Sequence, residues 1–174
     1  MPILITSSRR PTRRTRRFIK ELCRVNPQFM RINRGKMSYS QLRNYMISRG
    51  LTKIIFVENI KGNPGILEFM KLSEKFLIRV LSIKIENLSL QIDVKKEITL
   101  SSLVEVNITG IIDEDLKNIL MDFYYPYTSL MDGEIGKLLI HVKNNKIEFK
   151  YLDEKGNRIY PYIKGEIKVY TLDN

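Results

Sequence analysis

An arginine-rich segment near the N-terminus lies between two apolar segments, which indicates that it belongs to a folded unit. Six of the nine residues from Arg9 to Arg17 are arginine, and Glu21 is the only acid within residues 1–50 against 13 lysines and arginines. The other 124 residues carry 17 basic and 18 acidic side chains, so the net charge of +11 originates in the first third of the chain. Because like charges repel one another unless they are neutralised, this segment favours binding to a polyanion.

A helix is predicted to carry part of this charge. Phe18, Leu22 and Val25 recur at helical spacing, which gives the helix an apolar side for a core. At about 100° per residue, the basic residues on its other side form one stripe, made of Arg13, Arg17, Lys20 and Arg24. Free backbone N–H groups at a helix start attract anions, and the planar guanidinium group binds phosphate through paired hydrogen bonds. We therefore predict a surface that binds a phosphate backbone.

The predicted phosphate-binding surface combines the arginine run, the hydroxyl groups around it and the basic turn 33–36. Asn33 is a candidate to read a base edge, and a secondary phosphate contact through Lys61 is the alternative interpretation of the turn that carries it. For the turn 61–65 that carries Lys61, a plain hairpin turn is the favoured interpretation. The full set comprises Ser7, Ser8, Arg9, Arg10, Thr12, Arg13, Arg14, Arg16, Arg17, Lys20, Arg24, Asn33, Arg34, Lys36 and Lys61.

The first third of the chain is predicted to form a βαβαβ unit. Residues 3–6, 29–32 and 53–57 have the composition of strands, and the last of these is typical of the middle of a parallel sheet. A second helix is expected from Ser38, with Gln41 completing a capping box, to Gly50. Ligands bind beyond the carboxyl ends of strands in open α/β sheets, so the loops 6–14 and 33–36 are expected to meet there.

The remainder of the chain has the pattern of antiparallel strands with one helix. Strands are predicted within 66–92 and 98–112, and again at 138–142, 146–152 and 158–172. The intervening helix spans 113–124, where the acids Asp113, Glu114 and Asp115 complement the helix dipole rather than bind a metal ion. For the tyrosines around Pro126, packing in the core is the favoured interpretation. The alternative is that they form a platform on which nucleic-acid bases stack.

Composition is typical of one globular domain spanning residues 1–174. The single Cys23 indicates a reducing, cytoplasmic location and is expected at the edge of the core, while His141 is expected to be structural. No stretch of 18 apolar residues exists, so no membrane association is expected. We predict no cofactor, no metal ion and no catalytic residues, because the basic third holds one carboxylate and no histidine for acid–base chemistry.

Several motifs in order and spacing resemble the Brix-domain family of ribosome-biogenesis proteins. They are ITSSRRPTRRTRRFIKEL, INRGKMS and IIFVENIKGNPG followed by ILEF, and together they cover about residues 3–70. The short chain resembles the single-domain archaeal members of that family. The resemblance implies a mixed α/β (α+β) fold with two similar halves, about residues 1–90 and 91–174. Each half would resemble the anticodon-binding domain of class II aminoacyl-tRNA synthetases.

The resemblance also implies a function: non-catalytic binding of precursor ribosomal RNA during ribosome assembly, with another assembly protein as a second partner. Two alternatives follow from charge alone. One is an architectural DNA-binding protein or a non-specific polyanion binder, although the predicted strand between the first two helices is unlike a helix-turn-helix. The other is a nuclease or processing enzyme, which the absence of a catalytic constellation disfavours.

Overall fold

The computed structural model describes residues 2–94, 104–110, 112–125 and 136–170. The strands, in chain order, are β1 (Ile3–Ser7), β2 (Phe29–Arg31), β3 (Lys53–Ile60), β4 (Asn63–Leu72), β5 (Leu77–Ser89), β6 (Val104–Gly110), β7 (Gly136–Lys143), β8 (Lys146–Leu152) and β9 (Arg158–Val169). The helices are α1 (Arg13–Val25), α2 (Tyr39–Ser48), α3 (Gln91–Val94) and α4 (Glu114–Tyr124). Within those ranges, no helix has the length and apolar character needed to cross a membrane.

All nine strands belong to one mixed sheet with the order β2-β1-β3-β4-β5-β9-β8-β7-β6. The predicted βαβαβ unit is confirmed, because β1 pairs in parallel with both β2 and β3. The expectation that residues 53–57 lie between parallel strands holds on one side only, because β3 pairs in parallel with β1 but antiparallel with β4, within the predicted mixed sheet. The reason is the short turn at Lys61 and Gly62, because two residues reverse a chain but cannot make a parallel crossover.

The strand order has two parts with a similar plan. β1 and β3 are a parallel pair followed by antiparallel β4 and β5, and β6 and β7 are a parallel pair followed by antiparallel β8 and β9. The two parts join edge to edge through antiparallel β5 and β9. Gly165 lies at this junction, where an added Cβ would stand 2.4 Å from the carbonyl oxygen of Lys84.

The two faces of the sheet are covered differently. One face holds the larger core, in which α1 and α4 pack through Phe18, Leu22 and Leu120 against inward residues such as Ile5 and Phe149. The opposite face holds a smaller cluster beneath α2, formed by residues such as Leu4, Leu42, Met46 and Phe56. Alternation along β1 therefore sends Leu4 to one helix and Ile3 and Ile5 to the other, as a strand buried on both faces requires. The consequence is that α1 and α2 lie on opposite faces of the sheet.

Several local predictions are confirmed. Ser38 and Gln41 form the capping box of α2, and Asp113 caps α4 by accepting a hydrogen bond of 2.7 Å from the N–H of Leu116. Cys23 lies half-buried at the edge of the larger core, where burial raises the pKa of its thiol to about 11.

Tyr124 packs in the larger core against Phe29 and Phe149, with ring centroids 5.6 and 5.4 Å away, so core packing is confirmed for this tyrosine. Its neighbour Tyr125 is exposed. The rest of the tyrosine cluster, at 126–127, lies outside the described residues, as do the predicted strand residues at 98–103, 111 and 171–172. His141 lies on β7, where its Nδ1 is 3.0 Å from the hydroxyl oxygen of Thr109.

Candidate nucleic-acid interface

A basic cleft lies at the carboxyl ends of the adjacent parallel strands β1 and β2. The loop after β1 leads to α1 on one face of the sheet, and the loop after β2 leads to α2 on the other, so the two loops part and leave a crevice. Such a switch in direction is where open α/β sheets bind ligands. The cleft has a volume of about 390 Å³ and is lined by Ser7, Arg9, Pro11, Arg16, Arg31, Asn33, Arg34 and Gly35. Among the described residues, four guanidinium groups and no carboxylate line the cleft, so it suits an anion.

The first loop of the cleft is held by a small hydrogen-bond network. Thr12 caps α1 by accepting a bond of 3.2 Å from the N–H of Thr15. The Thr15 hydroxyl donates to the side-chain oxygen of Asn59 at the end of β3, and the Asn59 amide donates to the carbonyl oxygen of Arg10 at 3.2 Å. β3 thus fixes both the loop and the start of α1, which positions Arg9 and Arg16 on one wall of the cleft.

The start of α1 is electrostatically unfavourable for the helix itself. No acid lies in its first turn, and four of its first five residues are arginine. Positive side chains near the N-terminus of a helix oppose its dipole and cost up to about 1 kcal/mol each. They also add to the positive potential there. Departures of this kind from local stability are typical of functional sites.

The basic side chains of α1 fall into two groups by their partners. Arg14 makes a paired ion contact with Asp93 of α3 at 2.8 Å, Arg17 contacts the buried carboxylate of Glu21 at 3.1 Å, and Arg24 donates to the side chain of Gln91. Arg13, Arg16 and Lys20 are exposed and have no hydrogen bond or ion pair from their side chains within the described ranges. The unpartnered cations lie on one sector of the helix, beside the cleft.

Glu21, the only acid of the first third, is structural. It is 2% exposed, and besides Arg17 it accepts a hydrogen bond of 2.9 Å from the backbone N–H of Gln91. It therefore ties α1 to α3, while the Arg14 hydrogen bonds lower the pKa of the Asp93 carboxyl on the same short helix. Arg14, Arg17 and Arg24 serve the docking of α3, in addition to any contact with a ligand.

Arg34 forms the opposite wall of the cleft and is held rigidly. Only 7% of it is exposed, and its Nε donates to the carbonyl oxygen of Met37 at 3.0 Å. Its guanidinium carbon lies 4.4 Å from the ring centroid of Tyr39 and 5.5 Å from that of Phe56. Such stacking neutralises little charge, so Arg34 keeps its positive charge in the cleft.

Of the fifteen sequence-predicted site residues, five line the cleft: Ser7, Arg9, Arg16, Asn33 and Arg34. Nine others lie outside the cleft, in the same two loops or on α1, namely Ser8, Arg10, Thr12, Arg13, Arg14, Arg17, Lys20, Arg24 and Lys36. Ser7 is the last residue of β1 rather than part of the helix start, and its hydroxyl donates to the Ser8 carbonyl at 3.1 Å. Lys61 lies in the β3–β4 hairpin, at the same edge of the sheet.

Arg31 was missed by the sequence prediction. It is the last residue of β2, and its guanidinium donates to the side-chain oxygen of Asn33 at 3.1 Å. Its position at the carboxyl end of a strand in a basic segment was the signal that could have identified it.

Comparison with known proteins gives relatives in archaea. A probable Brix domain-containing ribosomal biogenesis protein of Sulfurisphaera tokodaii is 31% identical over 150 residues, which is 86% of this chain and 83% of that protein. Further archaeal relatives with the same description match over 62 to 85 residues, which is 31% to 48% of their own length. No protein-family model matches the chain.

Solved structures share the fold. A probable ribosomal biogenesis protein from Aeropyrum pernix K1 superposes with a TM-score of 0.72 at 20% identity, covering 95% of this chain and 96% of that one. The archaeal Imp4-like protein Mil gives a TM-score of 0.65 at 21% identity, covering 97% of this chain and 100% of that one. The mixed sheet with few helices is therefore a fold that these proteins also have.

Proposed function

This chain belongs to the Brix-domain family of ribosomal biogenesis proteins, and from that premise we propose that it binds precursor ribosomal RNA and assists ribosome assembly without catalysing a reaction. The cleft between the loops after β1 and β2 is the observation that carries the proposal, since it presents Arg9, Arg16, Arg31 and Arg34 with no carboxylate among its lining residues. One guanidinium group can donate two parallel hydrogen bonds to the oxygens of one phosphate, and the RNA backbone has a phosphate at every nucleotide.

The arrangement extends from the cleft along α1. Arg13 and Lys20 lie on the same sector of the helix as Arg16 and have no partner among the described residues. The distance along the axis from Arg13 to Lys20 is about 10 Å, which allows more than one phosphate to be bound. Phosphate contacts hold RNA without reading its sequence, so the shape of the RNA or its unpaired bases must supply selectivity.

A non-catalytic role is consistent with the chemistry of the cleft. Arginine stays protonated at every physiological pH, so none of the four guanidinium groups can act as a general base. The Ser7 hydroxyl is buried and donates to a backbone carbonyl, and no histidine or carboxylate lines the cleft to activate it.

Two further parts of the proposal concern the second half of the chain. The similar plan of β1-β3-β4-β5 and β6-β7-β8-β9 supports an organisation in two related halves, near residues 1–90 and 91–174, each resembling a class II synthetase anticodon-binding domain. Residues 91–174 carry 11 lysines and arginines against 14 acids, and the lack of a basic excess there suits contact with another assembly protein rather than with RNA.

A binding measurement with two charge-reversal variants tests the RNA-binding role. Arg9→Glu with Arg16→Glu removes two unpartnered cations from the cleft, and Lys117→Glu with Lys155→Glu makes the same change in charge at exposed lysines of the second half. Fluorescence anisotropy with a precursor rRNA fragment should show at least a tenfold loss of affinity for the first variant and less than a threefold loss for the second. Equal losses of affinity in the two variants would mean that RNA binds through the overall positive charge of the protein and not through the cleft.

A further inference from the structure

A second concave surface lies on the face of the sheet that carries α2, between this helix and the loop joining β4 to β5. We call it the aromatic groove. It has a volume of about 580 Å³, and its lining includes Tyr39 and Arg43 of α2, Lys75 and Phe76 of the loop, and Arg79 of β5. Phe76, Arg43 and Arg79 are not among the sequence-predicted site residues, and the proposed function does not use them.

Two aromatic side chains of the groove are exposed although the loop that holds one of them is well ordered by hydrogen bonds. Phe76 is 69% exposed and Tyr39 is 49% exposed. The Ser73 hydroxyl donates to the carbonyl oxygen of Phe76 at 3.0 Å and accepts from its N–H at 3.1 Å, while the Ser73 N–H donates to the same carbonyl at 2.8 Å. The turn therefore fixes the backbone of Phe76 while its side chain is exposed beside a second exposed aromatic residue of the same groove.

Tyr39 is fixed from behind. Its ring centroid lies 5.4 Å from that of Phe56, and the Arg34 guanidinium stacks against it at 4.4 Å. These contacts hold the ring in place, while about half of the residue remains exposed to solvent. Aromatic rings held in this way stack well on nucleobases, and the stacking tolerates any base because each has a π-face.

Cations surround the two rings. Arg43 donates to the backbone carbonyl of Glu74, and its Nε is buried with no hydrogen-bond partner among the described residues. Lys75 has no side-chain partner within those residues either. Arg79 is paired with the buried carboxylate of Glu68, so its charge is largely balanced. The lining residues of the groove in the described part of the chain include no acid, which favours an anionic occupant.

The groove adjoins the basic cleft through one contact. Arg34 lines the cleft and Tyr39 lines the groove, and the two side chains stack on each other. A strand whose phosphates lie in the cleft can therefore pass Tyr39 and place its next bases in the groove. An acidic peptide would match the charge of the groove, but it has no bases to stack on the aromatic rings. A single strand of RNA can occupy both surfaces, with phosphates in the cleft and bases in the groove.

We propose that the aromatic groove binds unpaired bases of single-stranded RNA. The bases stack on Phe76 and Tyr39, and the neighbouring phosphates bind Arg43 and Lys75. This inference rests on the proposed function, since it assumes that the RNA in the cleft continues as a single strand. It assigns to the protein a preference for unpaired segments, which the phosphate contacts of the cleft alone would not give.

Oligouridine and an abasic oligonucleotide of the same length separate base stacking from phosphate binding. Phe76→Ala should weaken binding of oligouridine about 5- to 150-fold, the range for the loss of one stacked base, and change binding of the abasic strand less than twofold. Ile47→Ala is the control, since Ile47 is an exposed apolar residue of α2 that is among the lining residues of neither the groove nor the cleft. It should leave both affinities within twofold. Equal losses in the two variants would overturn the assignment.

Two conservative variants distinguish stacking from apolar docking. Phe76→Trp keeps an aromatic face and should retain affinity for oligouridine, whereas Phe76→Leu keeps only apolar area and should lose it. In addition, photocrosslinking of 5-iodouridine in the bound strand should give adducts at Phe76 or Tyr39 by mass spectrometry. Full affinity in Phe76→Leu, or adducts only at other residues, would overturn the proposal.

Failure of this inference can be distinguished from failure of the proposed function. Wild-type protein that binds neither strand would overturn both. Binding of both strands with equal affinity, lost in Arg9→Glu with Arg16→Glu and unaffected by Phe76→Ala, would keep the cleft and overturn the groove. A glutamate-rich peptide that binds the wild type but not Phe76→Ala, while oligouridine binds both proteins equally, would assign the groove to a protein partner and overturn its role with RNA.

Discussion

Arginine residues of one helix have different roles according to what lies beside them. Arg16 lines the cleft without a side-chain partner among the described residues, whereas Arg14, two positions away, is paired with Asp93. The charge of an arginine that already pairs with a carboxylate is partly balanced, so we expect its net contribution to RNA binding to be smaller. The burial and partners of each side chain therefore decide its contribution more than its charge does.

This difference predicts that Arg16→Ala weakens RNA binding more than Arg14→Ala. We expect a loss of more than tenfold, about 1.5 kcal/mol, for Arg16→Ala, because it removes a charged hydrogen-bond donor from the cleft. Arg14→Ala should lose less than threefold. Anisotropy with the same precursor rRNA fragment at one salt concentration measures both. A larger loss for Arg14→Ala would mean that the pair with Asp93 opens when RNA binds.

The ion pair between Arg14 and Asp93 depends on pH only in the acidic range. Hydrogen bonding to Arg14 lowers the pKa of Asp93. The stabilisation from this pair is therefore present above the unfolded pKa of about 3.9 and is lost as the pH falls through the lower, folded value. At neutral pH the pair is intact, and Asp93→Asn should free Arg14 and raise the affinity for RNA.

A second residue-level prediction concerns stability. Arg17 and Arg13 look equivalent on the predicted basic stripe, but only Arg17 contacts the buried carboxylate of Glu21. Arg17→Ala leaves that carboxylate with the Gln91 N–H alone, which should reduce the free energy of unfolding by about 1–2 kcal/mol. Arg13→Ala should change it by less than about 0.5 kcal/mol. Urea denaturation measures both, and equal effects would show that Glu21 does not depend on Arg17.

At the scale of elements, apolar periodicity predicted most of the first half correctly because each element there has one strong signal. Phe18, Leu22 and Val25 indicated α1, and Ser38 with Gln41 indicated the start of α2. The loops that form the cleft followed from parallel strands ending at one edge. Sequence alone did not indicate the pairing of Arg17 with Glu21 or of Arg14 with Asp93, because these contacts depend on how α3 docks.

The aromatic groove was also beyond sequence analysis, for a physical reason. Tyr39 and Phe76 are 37 positions apart, and only the antiparallel pairing of β4 with β5 and the packing of α2 bring them together. A phenylalanine in a loop gives no sign in the sequence of being exposed. The same holds for the junction of β5 with β9, since neither strand shows which partner it takes.

That junction gives a prediction about Gly165. A Cβ at this position would lie 2.4 Å from the carbonyl oxygen of Lys84 and 2.8 Å from the Cγ2 of Ile83, so Gly165→Ala must push β9 away from β5. We expect a loss of about 1–3 kcal/mol in the free energy of unfolding, as for other overpacked sites. Lys164→Ala, an exposed neighbour on β9, is the control and should be nearly neutral. A neutral Gly165→Ala would show that the junction can relax.

At the scale of the whole molecule, charge is distributed very unevenly over one continuous sheet. The basic cleft and the exposed side of α1 belong to the first half, and the residues after 50 are close to neutral. This asymmetry orients the protein on a polyanion and leaves the second half available for other contacts. Charge by itself does not discriminate RNA from DNA, since both carry phosphates.

Preference for RNA must come from groups other than the phosphates. Unpaired bases in the aromatic groove and hydroxyl groups near the arginines, such as that of Ser8, can respond to strand flexibility and to the 2′-hydroxyl. We predict that a precursor rRNA fragment competes at least about tenfold better than DNA of the same length and sequence at physiological salt, a difference of about 1.4 kcal/mol. Equal competition would favour the interpretation as a DNA-binding or non-specific polyanion-binding protein.

The salt dependence of RNA binding tests most directly whether the arginines of the cleft bind phosphates. Plotting the logarithm of the binding constant against that of potassium chloride concentration should give a slope of about −4 to −7 for the wild type, as expected for about 5–8 neutralised phosphates. Arg9→Gln with Arg16→Gln should reduce the magnitude of this slope by about 2, because two phosphate contacts are lost. Lys117→Gln with Lys155→Gln should leave it unchanged. A wild-type slope near zero, or an unchanged slope in the cleft variant, would contradict the account.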